Sequence, residues 1–242
     1  MGMRSDGRAN TEIRPLSFEL SPLKFAEGST IVRMGETHVL CAVTLKDGVP
    51  RWRQGQKRGW LTAEYALMPR STQTRTPRKH IQSGRAQEIR RLIGRSLRRA
   101  VNFNQLGEST LIVDCDVMQA DGGTRTAAIN GGYVAVALAL QPLIASGHLP
   151  AGVLRQPIGA ISVGIVEDEP RLDLAYAEDV NAEMDLNVVM DAAGRFIEVQ
   201  GTAEGQPVSR DRLNALLDLA AEGIQTVISI QREALSCTGI ET

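Results

Sequence analysis

The sequence predicts a mixed α/β fold of the α+β type, with mixed β-sheets and packed helices, over residues 1–242 as one domain. Three observations predict it. Short runs with β-branched residues alternate between apolar and polar positions before residue 70 and again after residue 158. A long apolar helix pattern lies between them. Amphipathic helix patterns fall at Gly84–Val101 and after Ser209. Two similar halves would fit this order, although no sequence repeat marks them.

Residues 1–12 are polar and read as a partly ordered arm. Ile13–Leu20, Ser29–Met34 and His38–Leu45 alternate as strands, with Gly35-Glu36 as a hairpin turn. Lys46–Arg58 reads as a basic, turn-rich loop carrying Trp52, and Trp60–Met68 as a further strand. Pro69–Ser83 holds Arg70, Arg75, Arg78, Lys79 and His80 with almost no apolar content, so burial cannot order it and an anionic partner would have to. In the helix that Ser83 caps, Ile89, Leu92, Ile93, Leu97 and Val101 recur at helical spacing, and Arg91, Arg95 and Arg98 follow one another along another face. Leu111, Val113, Cys115 and Val117 then mark a strand that runs into Gly122-Gly123 and the apolar helix. Ile158–Val166, Leu172–Tyr176, Met184–Met190 and Phe196–Gln200 read as a strand meander with turns at Glu167–Pro170 and Asp191–Gly194. The last helix buries Leu213, Leu216, Leu217, Ala220, Ile224, Val227 and Ile228.

The totals exclude several classes. Among 242 residues the 3 Cys form no CxxC pair, which argues against a disulfide framework or zinc site and fits a reducing cytoplasm. Asn130, Gly131, Gly132, Gln141 and Pro142 interrupt Ala127–Ala145, so it reads as a core helix and not a membrane span. The net charge of −1 conceals a segregation. Residues 51–99 carry 14 Lys and Arg against only Glu64 and Glu88, and the remainder is net acidic. A basic band inside a neutral chain is the footprint of a nucleic-acid partner, single-stranded RNA or DNA.

Three constellations carry the candidate chemistry. Glycines at 122 and 123 allow close approach of a ligand to the backbone. Thr124 and Arg125 then occupy the first turn of a helix, where free N–H groups and a guanidinium suit phosphate. A turn whose glycines merely allow tight packing explains Gly123-Thr124-Arg125 about equally well. Arg85 lies four residues before Ile89 and seven before Leu92. That spacing aims it inward, toward a buried anion: an acidic side chain or a phosphate shared with Arg125. Glu178, Asp179, Glu183 and Asp185 fall within eight positions, and Asp179 can fold back beside Asp185, a pair suited to a hard cation such as Mg²⁺. A solvated acidic loop is the competing reading. The sequence lacks GxxxxGK[ST], GxSxG and HExxH, and His38, His80 and His148 are scattered. No histidine base is indicated, and inorganic phosphate would need none because it is already an anionic nucleophile.

Taken together, these segments resemble the ribonuclease PH family, which is related to polynucleotide phosphorylase and the exosome ring subunits. The resemblance rests on Asp6-Gly7-Arg8, Glu12–Pro15, Gly48–Trp52, Gly59–Tyr65, Ser83-Gly84-Arg85, Asp114-Cys115-Asp116, Gln119–Thr126, Asp185–Val189 and Glu198–Thr202, in unbroken order from about residue 3 to about residue 235. It implies the βαβα fold of that family and a phosphate-dependent 3′→5′ exoribonuclease that trims tRNA precursors, releases nucleoside diphosphates and runs in reverse. It also implies a homohexamer built as a trimer of dimers. By motif, Arg85, Gly123, Thr124 and Arg125 would bind phosphate, Asp179 and Asp185 would hold Mg²⁺ and act in catalysis, and Arg70, Arg75 and Arg78 would guide the RNA 3′ end. The alternatives are a non-catalytic RNA-binding ring subunit and a hydrolytic metal nuclease.

Overall fold

The computed structural model describes residues 4–78 and 83–240. Lys79 and His80 of the expected basic loop lie outside these residues. Strands β1 (Leu16–Leu20), β2 (Gly28–Met34) and β3 (Thr37–Asp47) pair antiparallel in sequence. β5 (Ser109–Gln119) joins β3 antiparallel, and β4 (Trp60–Leu67) joins β5 parallel at the sheet edge. Parallel neighbours need a crossover. Helices α1 (Gly84–Leu97) and α2 (Phe103–Leu106) supply it. After α3 (Thr124–Ala145) come β6 (Ile158–Val166), β7 (Glu169–Leu172), the short α4 (Tyr176–Asp179), β8 (Met184–Asp191), β9 (Phe196–Ala203) and α5 (Arg210–Ser236). The second sheet is antiparallel in the order β7-β6-β8-β9. The architecture is α+β, as composition and periodicity imply.

Helix α3 touches both sheets, packing on β2 and β3 on one side and on β6 on the other. Thr126 through Leu140 are all buried, which is why this helix is apolar on every side and not along one stripe. Its length and composition would span a membrane, but it is the core of this fold. α1 reaches β4 and β9, and α5 reaches β1 and β6, so three helices lie between the sheets. Gln231 of α5 is fully buried and donates to the backbone carbonyls of Asn130 (3.3 Å) and Ile158 (3.2 Å), tying α5 to α3 and β6. Leu213 and Leu217 are only half-buried.

Three readings of the sequence change. The strand expected over Leu172–Tyr176 is Glu169–Leu172. The hairpin turn shrinks to Glu167 and Asp168, both at positive φ (54° and 63°), and Asp173, also at positive φ (53°), ends the strand. β3 continues through Asp47, where a basic loop was expected, and Arg51–Arg53 form a 3₁₀ turn. From Arg4 onward the N-terminal arm is anchored to the body of the fold. Arg4 and Arg14 are buried because acids 174 and 159 residues downstream receive them: Arg4 Nη2 lies 2.6 Å from Glu178 Oε2, and Arg14 Nη2 lies 2.6 Å from Asp173 Oδ1.

Candidate active site

A cavity of about 720 Å³ opens where the C-terminal ends of β4 and β5 meet the start of α3, the start of α1, helix α4 and the first residues of β8. Gly122 and Gly123 turn the chain from β5 into α3 with φ of 72° and 64°, the left-handed region open to glycine at little cost. A Cβ on Gly122 would meet the Leu174 carbonyl at 2.6 Å, so this turn is pressed against the backbone leading into α4. The Thr37 hydroxyl fixes the turn from below, donating to the Gly122 carbonyl (2.6 Å) and accepting from the Asp121 N–H (2.9 Å). Among the described residues no side chain caps α3, and its first turn lines the cavity with the positive end of a 22-residue helix.

Thr124, Arg125 and Arg85 line that cavity. Arg125 is mostly buried and is steadied by Gln200 Oε1 (3.0 Å) and Glu88 (3.6 Å). Arg85 departs from expectation. It is exposed, and the buried stripe of α1 starts at Ala86. The buried position in the first turn of α1 falls to Ala86, one residue later, so Arg85 is left outside the core and lines the cavity. Among the described residues it makes no ion pair within 4.0 Å.

The acidic cluster splits in two. Glu178 turns away and is buried: it accepts from Arg4 Nε (2.8 Å) and Arg171 Nη1 (3.3 Å), and its other oxygen takes the Ala175 N–H (3.1 Å). Glu183 is exposed and accepts from the Asp168 N–H. Asp179 and Asp185 alone of the four line the cavity. Burial raises the pKa of both above the usual Asp range. Asp179 raises Asp185 further, while Arg85 and Arg125 pull Asp179 back down. Among the described residues no three His, Cys, Asp or Glu cluster as metal ligands. Two carboxylates that repel each other in a cavity also lined by two arginines still fit a cation of the Mg²⁺ kind, which keeps most of its waters.

Arg70, Arg75 and Arg78 are exposed and do not line the cavity; Thr72, Gln73 and Thr74 of the same loop do. The loop is tied down where it meets the sheet, by the Ala120 N–H to the Ser71 carbonyl (2.8 Å) and by the Thr76 N–H to the Pro69 carbonyl (2.8 Å).

Sequence reasoning missed two contributors. Tyr65 is buried, and its hydroxyl lies 2.8 Å from Thr124 Oγ1. Burial raises the phenol's pKa, against the pull of Thr124, Arg85 and Arg125, so it stays protonated. The signal was strand parity: Tyr65 shares the buried face of β4 with Leu61 and Ala63, and a buried phenol needs a partner. Arg14 was the second. It donates to the Asp121 carbonyl and to fully buried Asp173, so one side chain holds the phosphate turn against the segment that leads to Asp179. Only the separation in sequence concealed that.

Comparisons with known proteins agree with this geometry. The family model "3′ exoribonuclease family, domain 1" matches residues 12–142, and "domain 2" of the same family matches residues 156–223. A curated relative from Moorella thermoacetica, named ribonuclease PH, is 51% identical over 236 residues, 96% of this chain and 94% of that one. Among solved structures, the Archaeoglobus fulgidus exosome with RNA bound to the active site superposes with a TM-score of 0.81 at 21% identity, covering 93% of this chain and 91% of that one. Rice Rrp46 superposes at 0.78 with 22% identity, covering 96% and 100%. At such identities these two speak for the fold alone.

Proposed function

The chain belongs to the 3′ exoribonuclease family and is a phosphorolytic exoribonuclease acting on RNA, and from that premise we propose that its cavity seats the attacking phosphate on Arg85, Gly123, Thr124 and Arg125. One observation carries this: two arginines, an uncapped helix start and a pair of carboxylates all face one cavity. Arg125 presents a guanidinium fork to phosphate oxygens, and the N–H groups of the first turn of α3 add donors along the helix axis. Arg85, unpaired by any described carboxylate, closes the seat from the other side. A phosphate so held is already the nucleophile, and the site's work is alignment. A phosphate oxygen attacks the phosphorus of the terminal linkage, and the 3′-oxygen of the preceding nucleotide leaves with the electron pair. The terminal nucleotide departs as a nucleoside diphosphate. Its new phosphoanhydride makes the step reversible.

Asp179 and Asp185 are the residues that would hold Mg²⁺. When bound, the ion would offset negative charge on the scissile phosphoryl group and the leaving oxygen. The chain's own contribution is to bring the two carboxylates to one cavity despite their repulsion and, among the described residues, to leave both without an ion pair within 4.0 Å. Arg70, Arg75 and Arg78, on the loop beside the cavity, are proposed to meet the RNA backbone as it approaches. Trimming the 3′ ends of tRNA precursors in the cytoplasm, as a homohexamer built as a trimer of dimers, completes the proposal. Light scattering on the protein should then return six times the 26.2 kDa chain, and a monomer would remove that part.

The nucleotide released by the protein decides the chemistry. Labelled RNA with phosphate and Mg²⁺ should give nucleoside diphosphate, and no release without phosphate. Release of monophosphate regardless of phosphate would identify a hydrolytic nuclease; no release at all would identify a non-catalytic subunit. Arg125→Ala should raise the KM for phosphate by about tenfold or more, the effect of losing a charge-assisted bidentate contact.

A further inference from the structure

The seat described above uses one end of strand β4, and at the other end lies an aromatic and arginine cluster that phosphorolysis does not use. Trp52 is 59% exposed. It stands edge-on to Trp60 with ring centroids 4.7 Å apart, and Trp60 lies 5.9 Å from Phe103. The Arg53 guanidinium sits 5.6 Å from the Trp52 ring, 5.1 Å from Trp60 and 5.8 Å from Phe103, and Arg98 lies 4.1 Å over Trp60. Both arginines are pinned by their Nε, Arg53 on the Gly59 carbonyl (3.1 Å) and Arg98 on the Leu61 carbonyl (3.0 Å). The loop is braced as well. Gln56 Nε2 donates to the Trp52 carbonyl (3.0 Å), and Glu108 Oε1 accepts the N–H groups of Gly55 (3.0 Å) and Lys57 (3.2 Å). An indole held rigid yet facing water keeps apolar surface exposed that a simple loop would bury.

We propose that Trp52 is a stacking platform for a base of single-stranded RNA lying upstream of the end being trimmed. Helix α1 connects the two ends. Arg85 at its start faces the phosphate seat, Arg98 just past its end covers Trp60, and the helix between them spans about 21 Å. Its outward face carries exposed Arg91 and Arg95, the latter shared with Glu198 at 2.6 Å. Arginines along this face contact phosphates, and the exposed indole takes a base, the combination that binds single strands without regard to sequence. RNA fits this surface better than a second copy of the chain. A two-fold contact would set Arg51, Arg53, Lys57 and Arg58 against their own duplicates.

The inference rests on RNA being the substrate, and the test separates the two. The chain has 2 Trp, so intrinsic fluorescence reads the platform directly. The full-length protein is titrated, without phosphate or divalent cation, with single-stranded RNAs of about 20 and about 5 nucleotides, lengths that do and do not exceed one binding groove. The longer RNA should quench the parent protein, and Trp52→Ala should lose that quench. Its affinity for the longer RNA should fall by about tenfold, the scale of one lost base stack, with an unchanged salt slope because no phosphate contact is removed. Affinity for the short RNA should stay within about twofold of the parent, since it cannot span both sites. Circular dichroism guards against misfolding, and Trp52→Phe, which keeps a ring, should restore most of the affinity. Equal affinity of parent and Trp52→Ala for the longer RNA overturns the platform. So does a change in oligomeric mass with RNA affinity intact, which would make the surface a contact between copies. No RNA binding by the parent would instead sink the exoribonuclease reading itself.

Discussion

Glu178 and Asp179 are neighbours in sequence and belong to opposite electrostatic regimes. Behind the cavity, Arg4, Arg14, Asp173 and Glu178 form a buried network in which each charge meets its opposite: Asp173 is 0% exposed and takes Arg14 on both oxygens, at 2.9 and 2.6 Å. In front of it, Arg85, Arg125, Asp179 and Asp185 line one cavity, and among the described residues neither arginine comes within 4.0 Å of either aspartate. The pKa directions express the contrast. Burial alone would raise Glu178, but its bonds to Arg4 and the Ala175 N–H hold it below the usual Glu range. Asp179 and Asp185 are held above theirs. Opposite charges paired in the interior maintain shape; charges left open around a space await a ligand.

The comparison breaks most sharply at Asp173. Asp173→Asn leaves the Arg14 guanidinium buried without its counter-charge, and chemical denaturation should register a loss of about 3–5 kcal/mol. A loss below about 1 kcal/mol, the scale of an exposed pair, would mean the network is not structural in this sense. Next is Asp185→Asn, which should cut turnover by roughly 10²–10³-fold, the scale of losing one preorganised charge at a reacting centre, while RNA affinity holds. It should not destabilise the fold. An ionised carboxylate whose folded pKa is raised costs stability at neutral pH, so the Asn variant should melt at the same temperature or higher without divalent cation. A lower melting temperature would place Asp185 with the structural charges.

Acidification separates the regimes by sign. Asp179 and Asp185, raised in the fold, contribute stability below their unfolded pKa that is lost as pH rises through the folded values. Acidifying from neutrality therefore relieves their repulsion first. Glu178, lowered in the fold, contributes stability above its unfolded pKa that is lost as pH falls through the folded value. Denaturation midpoints followed from neutral to acid should rise or hold before they fall, and Asp185→Asn should make the early rise smaller. The smallest effect is expected at Tyr65. Its hydroxyl shares a 2.8 Å hydrogen bond with Thr124 Oγ1 and so holds the threonine in position at the phosphate seat. Tyr65→Phe should raise the KM for phosphate about 2- to 10-fold, the value of one neutral hydrogen bond, with kcat little altered. An equal effect of Tyr65→Phe in a Thr124→Val background would exclude this route, because the partner hydroxyl is then already gone.

Local chemistry determined much of this protein before any fold was known. Alternation placed Leu111, Val113, Cys115 and Val117 on a buried face, Ser83 and Ser209 capped the helices they precede, and glycine at 122 and 123 marked the turn with positive φ. Those signals lie within a few residues of one another, so the sequence carries them intact. Charge segregation between residues 51–99 and the rest likewise needed no coordinates. Tertiary structure decided what depends on partners far along the chain. It buried Arg4 and Arg14 against Glu178 and Asp173, turned Glu178 away from Asp179, and aimed the Tyr65 hydroxyl at Thr124. It also left Arg85 outside the core and lining the cavity, where periodicity had pointed it inward, because the buried position in the first turn of α1 falls one residue later, to Ala86. Which charges cancel and which remain open is a property of distances between elements, and only the packed chain fixes those.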